Sequence, residues 1–321
     1  MLVPITMRQG ITSLNLMANQ YRMSELEKKK LTGMKNDVFS HIDKGIQNLK
    51  PNKWSLSRSA DLIRGSLDKN TAMQGSSDID VIYVMNFTPI KAENLPSPKE
   101  ILLQLSSFIQ NKYVITVNPR TITVKPKNNH HHFNSMIWGR NTLSMDIVPA
   151  LVPINTKTNK PHWIYGISGS RNQGNWIKFS PKHQKEMADS LYINRKHPHD
   201  SPADLLVNLK KWRDDARHPP KKLPSYVLEI LVYKDYKDFS DEGTLETRYT
   251  RILEKLSQIA LIEVYFDKSA KPKGKKPVCG LGVIQDPANV SQNVISHFTD
   301  EEKDWWGRYA KTSRSGGFLL W

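Results

Sequence analysis

Residues 64–84, RGSLDKNTAMQGSSDIDVIYV, constrain what this chain can fold into more than any other stretch. A Gly-Ser pair is followed by a short spacer and then by Asp78 and Asp80, the second of which opens into the apolar run VIYV. Side chains on a strand alternate faces with period two, so Asp78 and Asp80 point to one side and Ile79 to the other. Two carboxylates on one face of a sheet repel each other, and folding alone supplies no reason to pair them. A divalent cation does: Mg²⁺ takes carboxylate oxygens and keeps open positions for substrate phosphates.

Asp146 supplies a third acid. It lies in TLSMDIVPAL, a second apolar, strand-like run, and TITVK at 121–125 reads as the strand before it. The polar segment between them reads as a loop, so the expectation is a hairpin that returns Asp146 to the sheet beside Asp78 and Asp80. Three carboxylates there would hold two metal ions (Mg²⁺, with Mn²⁺ able to replace it), activating a ribose hydroxyl and stabilising a departing pyrophosphate. Gly65, with no Cβ, lets backbone approach a phosphate, and Ser66 adds a hydroxyl donor to an anion-binding nest. Alone, a Gly-Ser pair is an ordinary turn, and a lone D-x-D is within chance for 321 residues. Gly-Ser, spacer, D-x-D opening a strand and then an Asp in a later strand is a specific order.

That order resembles the nucleotidyltransferase fold of DNA polymerase β relatives. Within it, the chain is similar to the CD-NTases, the bacterial cyclic-oligonucleotide synthases related to oligoadenylate synthase and cyclic GMP-AMP synthase. DIVPAL at 146–151 resembles the third-acid strand of that group, and NWIKFSPKHQKEM at 175–187 its segment leading into the second lobe. LLVNLKKWRDDAR and LPSYVLEILVY resemble the helix-loop-helix of that lobe, and IQDPANVSQNV its D-P-x-x-x-x-N-V segment. The segments are collinear over roughly residues 62–310.

The resemblance implies an α+β fold: a polymerase β-like nucleotidyltransferase sheet, a mainly helical second lobe and an N-terminal spine helix. The implied domains are 1–50 for the spine helix, 51–174 for the catalytic domain and 175–321 for a helical nucleotide-binding lobe. It implies that Lys210 contacts phosphate, with Lys211 as the fallback since one residue turns a helix by about 100°. Ser225 then bonds phosphate, and Tyr226 stacks on the base, against the plainer reading of a core aromatic. Glu229 orients a neighbour, and Asp286 and Asn293 organise a loop. The activity implied is condensation of ribonucleoside triphosphates into a cyclic di- or trinucleotide messenger, with release of pyrophosphate. It would serve antiphage (CBASS) signalling through a cyclic-nucleotide-binding effector. A linear oligonucleotide synthase, an RNA-tailing enzyme and a nucleic-acid-binding module on the same fold stay open.

Charge bears on partners. Lys plus Arg number 47 against 31 acids, a net +16. Such a field draws polyanions more strongly than nucleoside triphosphates require, so RNA or DNA is carried as a candidate activator. The lysines of KPKGKK (271–276) and HPPKK (218–222) also read plainly as solvated loops. Zinc-ribbon cysteines are absent, since Cys279 is the one cysteine, and it reads as a small core residue. No apolar run approaches the ~18 residues of a membrane span, and the first residues have no apolar h-region. The expected location is the cytoplasm, with no membrane partner. The tract His130–His131–His132 reads as loop, because adjacent histidines do not converge on one tetrahedral site. Trp176, Trp305 and Trp306 read as packing residues.

Helical periodicity is expected over 13–49, 97–112 (Ser97 as N-cap, Pro98 at the first turn), 181–195, 202–216, 225–234, 244–265 and 300–312.

Overall fold

The computed structural model describes residues 14, 17–49, 54–58, 71, 73, 78–89, 96–127, 144–153, 164–167, 175–179, 189, 201–239, 243–266, 282–287 and 289–315. The chain clusters into two compact units, Met23–Lys185 and a second made of Met1–Arg22 with Glu186–Trp321.

Among the described residues, the first unit is a sheet backed by two helices. Its elements are α1 (Glu25–Gln47), β1 (Trp54–Arg58), β2 (Asp78–Pro89), α2 (Pro98–Ile109), β3 (Tyr113–Val117), β4 (Ile122–Pro126), β5 (Ser144–Pro153), β6 (Ile164–Ile167) and β7 (Trp176–Phe179). The strand order is β1-β2-β5-β4-β3, with β6 paired to β5 and β7 to β6. β2 and β5 run parallel, in register from Asp78↔Ser144 to Phe87↔Pro153. The far edge of β5 is shared: β4 pairs antiparallel with its first half, and β6 with Ala150 and Leu151. One face of this sheet is core, where Val81, Tyr83, Met85, Ile122, Val124, Met145, Ile147 and Leu151 pack with Leu31, Val38 and Ile42 of α1 and Ile101 and Leu105 of α2. On the opposite face Val84, Ala150 and Val152 form only a small patch with Ile82.

The expected helix over 13–49 is interrupted. Residues 17–21 are helical, the chain leaves the helix at Arg22–Ser24, and α1 starts afresh at Glu25. Ser24, in extended conformation, accepts from the Glu27 amide while the Glu27 carboxylate accepts from the Ser24 amide. This capping box satisfies orphan donors at a new N-terminus, which favours a stop and restart over one continuous helix. α2 begins as expected, with Ser97 and Glu100 forming a second capping box ahead of Pro98. Gly45 lets α1 meet α2 closely, because a Cβ there would lie 2.2 Å from the Phe108 ring.

α1 is also tied to the start of β3. Asp37 accepts from Lys112 Nζ at 2.9 Å and from the Tyr113 hydroxyl. Burial pushes the Asp37 carboxyl up, but the Tyr113 and Lys112 hydrogen bonds and the Lys112 and His41 charges outweigh it and hold the carboxyl below its ordinary value. The tie therefore stabilises the folded unit above the unfolded carboxylate pKa of ~3.9 and is lost as pH falls through the lower folded value.

The second unit is mainly helical: α3 (Pro202–Asp214), α4 (Ser225–Asp238), α5 (Leu245–Ser257), a small sheet of β8 (Glu263–Val264), β9 (Val283–Asp286) and β10 (Asn289–Asn293), and α6 (Asp300–Ser315). Its core joins Leu205, Leu209, Val227, Leu231, Ile252, Leu256 and Trp306. α4 runs past the expected 234, and the expected helix over 244–265 stops at Ser257. Beyond it, Ile262 and Val264 are buried and β8 pairs parallel with β9. Strand pairing, supplied by residues about twenty positions later, outcompetes a helical pattern that is locally sound. Of the helix expected over 181–195, only residue 189 lies among the described residues, and it is helical.

One carboxylate ties α4 to α5. Asp235 is fully buried and accepts from Arg248 Nη1 at 3.2 Å, Arg251 Nε at 3.0 Å and Arg251 Nη2 at 3.1 Å, with Lys255 Nζ at 3.9 Å. Removing it strands a buried guanidinium, and such a loss costs about 3–5 kcal/mol.

Two measurements test these ties. Asp235→Ala should lower the urea unfolding free energy by that 3–5 kcal/mol, and a loss within experimental error would refute the role given to Asp235. Asp37→Asn should flatten the stability loss of the wild type below about pH 4. Parallel acid limbs in the two proteins would refute the Asp37 tie.

Candidate active site

The parallel register of β2 and β5 sets the geometry. Asp80 pairs with Asp146 and Asp78 with Ser144. Residues paired across neighbouring strands share a face, and residues two apart on one strand do too. Positions 78, 80 and 146 therefore lie on one face of the sheet, the one opposite the helix-backed core. Val81, Met145 and Ile147, between and beside them, are buried on the core face. For Asp78 and Asp80 the description covers the strand backbone and its register. Gly65 and Ser66 lie outside the described residues, as do Cys279, the three histidines and the KPKGKK lysines.

Asp146 is half-buried. β4 crosses β5 with Thr123 directly opposite Asp146. The Thr123 hydroxyl donates to Asp146 Oδ1 at 2.6 Å, and Asn118 Nδ2 donates to Thr123 Oγ1 at 2.9 Å. The three acid positions fit a divalent metal: hard oxygen donors on adjacent strands, one of them held by a polar neighbour. A site for two Mg²⁺ ions would draw on Asp78, Asp80 and Asp146.

Lys210, Ser225 and Tyr226 belong to the second unit. Lys210 is buried, 5% exposed, on α3, and is engaged within the protein. Lys211 pairs with Asp215 and lies over the Tyr21 ring. Ser225 is the first residue of α4, whose start has no side-chain cap. Its hydroxyl oxygen accepts from Arg213 Nη1 at 2.6 Å, so its own proton is free to be donated elsewhere. Tyr226 is half-buried against the core, and its hydroxyl donates to Asp286 Oδ1 at 2.8 Å. Its ring packs against the core of the second unit while Asp286 engages the hydroxyl.

Arg213 had no place in the sequence reading. It is 6% exposed, donates to Leu223 O as well as Ser225, and makes a two-pronged contact with Asp214 at 2.8 and 3.0 Å. Burial pushes the Asp214 carboxyl up, but the Arg213 and Lys222 contacts more than offset this and hold it below its usual range. Arg213 thus locks the α3–α4 connection against the first residue of α4. The signal available in sequence was its place in KKWR, three positions after the lysine singled out.

The residues assigned to packing do pack. Asn293 accepts from the amides of Ile284 and Ile295 and donates to Gly282 O, which ties the end of β10 to the start of β9. Trp176 Nε1 donates to Pro96 O in the first unit, and Trp306 Nε1 donates to Lys221 O in the second. Trp305 stacks on Tyr309.

Three solved structures share this architecture. CdnC of E. coli MS115-1, solved with ATP, superposes with a TM-score of 0.62 at 17% identity, covering 97% of this chain and 92% of that one. The CD-NTase CdnG of Bradyrhizobium diazoefficiens, in complex with GTP, gives 0.58 at 12% identity over 94% and 89%. The CdnE c-UMP-AMP synthase of Rhodothermus marinus, with Apcpp and Upnpp, gives 0.52 at 16% identity over 96% and 97%. The chain has the CD-NTase fold. No protein-family model and no curated protein sequence matches it, so the likeness is one of backbone path rather than of sequence. The CD-NTase fold accounts for the α+β architecture, a nucleotidyltransferase sheet with a mainly helical second unit. Among the described residues, no helix is long and apolar enough to cross a membrane.

Tyr226→Phe keeps the ring and removes the hydroxyl bond to Asp286. It should cost about 1–2 kcal/mol of stability while leaving nucleotide affinity near that of the wild type. Tyr226→Ala should weaken that affinity by about 1–3 kcal/mol. Equal affinities for both variants, measured by calorimetry with ATP, would exclude base stacking by Tyr226.

Proposed function

We propose that this chain is a metal-dependent nucleotidyltransferase that joins ribonucleoside triphosphates and closes the product into a cyclic di- or trinucleotide. The observation that carries the reading is the in-register pairing of Asp80 with Asp146 on adjacent parallel strands, with Asp78 two residues away on the same face. Self-repelling acids placed this way are costly to folding and suited to phosphoryl-transfer chemistry. In their CD-NTase relatives' structures, CdnC carries ATP, CdnG carries GTP and CdnE is a c-UMP-AMP synthase.

In this reading Asp78, Asp80 and Asp146 would hold two Mg²⁺ or Mn²⁺ ions, which would supply charge neutralisation at the triphosphate and lower the pKa of the attacking ribose hydroxyl. Asp146 would help bind the metal near that hydroxyl. Gly65 and Ser66 hold the phosphates with backbone amides and one hydroxyl. Lys210 adds a compact positive charge, Ser225 donates its hydroxyl proton to a phosphate oxygen, and the Tyr226 ring stacks on the base. In-line attack on the α-phosphate releases pyrophosphate, and a second attack within the linear intermediate closes the ring. The product would act as a messenger to a cyclic-nucleotide-binding effector in antiphage signalling, in the cytoplasm where its triphosphate substrates are found. The +16 charge supports RNA or DNA as activator.

The test incubates the purified chain with all four labelled ribonucleoside triphosphates and Mg²⁺ or Mn²⁺, with and without RNA or DNA, followed by phosphatase and mass analysis. A phosphatase-resistant product of cyclic mass is expected. Asp78→Asn and Asp146→Asn should each reduce its formation by at least ~10²–10³-fold while the circular dichroism spectrum is kept. Near-wild-type turnover in either variant would overturn the site, and a linear product would overturn ring closure alone.

A further inference from the structure

Asp146 does not stand alone on its strand. β3 and β4 are joined by the tight connection 118–121, closed by the Asn118 amide donating to Thr121 O at 2.9 Å. From that turn the Asn118 side chain reaches along β4, donating Nδ2 to Thr121 Oγ1 at 3.2 Å and to Thr123 Oγ1 at 2.9 Å. Thr123 in turn donates to Asp146 Oδ1 at 2.6 Å.

The proton direction along this chain is determined by chemistry. A carboxylate only accepts, so the single hydroxyl proton of Thr123 goes to Asp146. The Thr123 oxygen is then left as an acceptor, which orients the Asn118 amide with its NH₂ toward it. Thr123 is β-branched and stiff at χ1, so its hydroxyl is held where the strand register puts it. One lone pair of Asp146 Oδ1 is occupied, the rotation of the carboxylate is restricted, and Oδ2 is left for a cation.

We infer that Thr123, held by Asn118, is a positioning residue for the third acid, setting the orientation in which Asp146 binds metal. This inference rests on the nucleotidyltransferase reading of the site. The β3–β4 turn is thereby mechanically linked to the chemistry: the carboxylate is aimed from the neighbouring strand and the turn before it rather than from the strand that bears it. Among the described residues the β4–β5 ladder has three pairs, with Thr123↔Asp146 in the middle, so the side-chain bond joins residues already held opposite each other by the backbone.

The test uses the full chain with Thr123→Val, Thr123→Ser, Asn118→Ala and Asp146→Asn. Valine keeps the β-branched shape of threonine and removes the hydroxyl, whereas serine keeps the hydroxyl and frees χ1. Free Mn²⁺ is counted by electron paramagnetic resonance in the presence of a non-hydrolysable ATP analogue, and turnover is followed in parallel. Thr123→Val should weaken Mn²⁺ binding and lower kcat by about 10–100-fold each, with the KM for ATP unchanged and the urea midpoint lowered no more than the loss of one hydroxyl's bonds accounts for. Thr123→Ser should recover most of the loss, and Asn118→Ala should move both readings in the same direction by less. Thr123→Val indistinguishable from wild type while Asp146→Asn is inactive overturns this inference and leaves the proposed function standing. Losses in the valine and serine variants that track a lowered urea midpoint also overturn it, in favour of a purely structural bond. Wild type and Asp146→Asn binding Mn²⁺ alike overturns the metal site itself. Where turnover is absent for want of an activator, the Mn²⁺ titration decides.

Discussion

The parallel pairing of β2 with β5 is the constraint on which the rest of the first unit depends. It extends over ten residue pairs and keeps the two strands in step. Because a strand alternates with period two, one register sends Val81, Tyr83, Met145 and Ile147 to the core and puts positions 80 and 146 side by side on the other face. A slip of one residue would bury the acids among α1 and α2 and expose the core. Burial of one face therefore enforces the juxtaposition on the other: apolar packing stabilises what carboxylate repulsion opposes.

The second unit uses buried charge in the same manner. Asp235 binds α4 to α5 through two arginines, and Arg213 binds the α3–α4 connection to Ser225 and Asp214. Each group is a poor choice for stability alone, since desolvating an ion offsets much of its pairing. Each fixes direction instead. Arg213 donates to the Ser225 oxygen, so the serine's own proton is left for another acceptor at an α4 start that no side chain caps.

Much of this was legible in the residues, for local reasons. Ser97 and Pro98 start α2 because a hydroxyl cap and a fixed φ suit a first turn. The strand character of VIYV and DIVPAL follows from β-branched, apolar composition. The hairpin that returns Asp146 to the sheet follows from a polar loop between two such runs, and β4 does lie against β5 with Thr123 opposite Asp146. Other features were hidden. The restart at Ser24 turned on one capping box inside a continuous helical pattern. The end of α5 at Ser257 turned on a partner strand that begins at Val283. Periodicity weighs neighbours in sequence, and both outcomes were decided by competition it cannot weigh.

By itself the sequence determined which residues are on hand for chemistry: three aspartates in strand-forming runs, a Gly-Ser pair, and a Lys–Trp–Arg helix followed by Ser-Tyr. It determined their faces along each strand too, because alternation is a property of one chain. Only the tertiary structure decided which positions on different strands meet. Asp80 stands beside Asp146 rather than another residue, Thr123 and Asn118 aim that carboxylate, and Arg213 orients Ser225. Hydrogen-bond register between separate segments and the direction of a shared proton depend on atoms from several segments at once, and no local pattern in the chain encodes them.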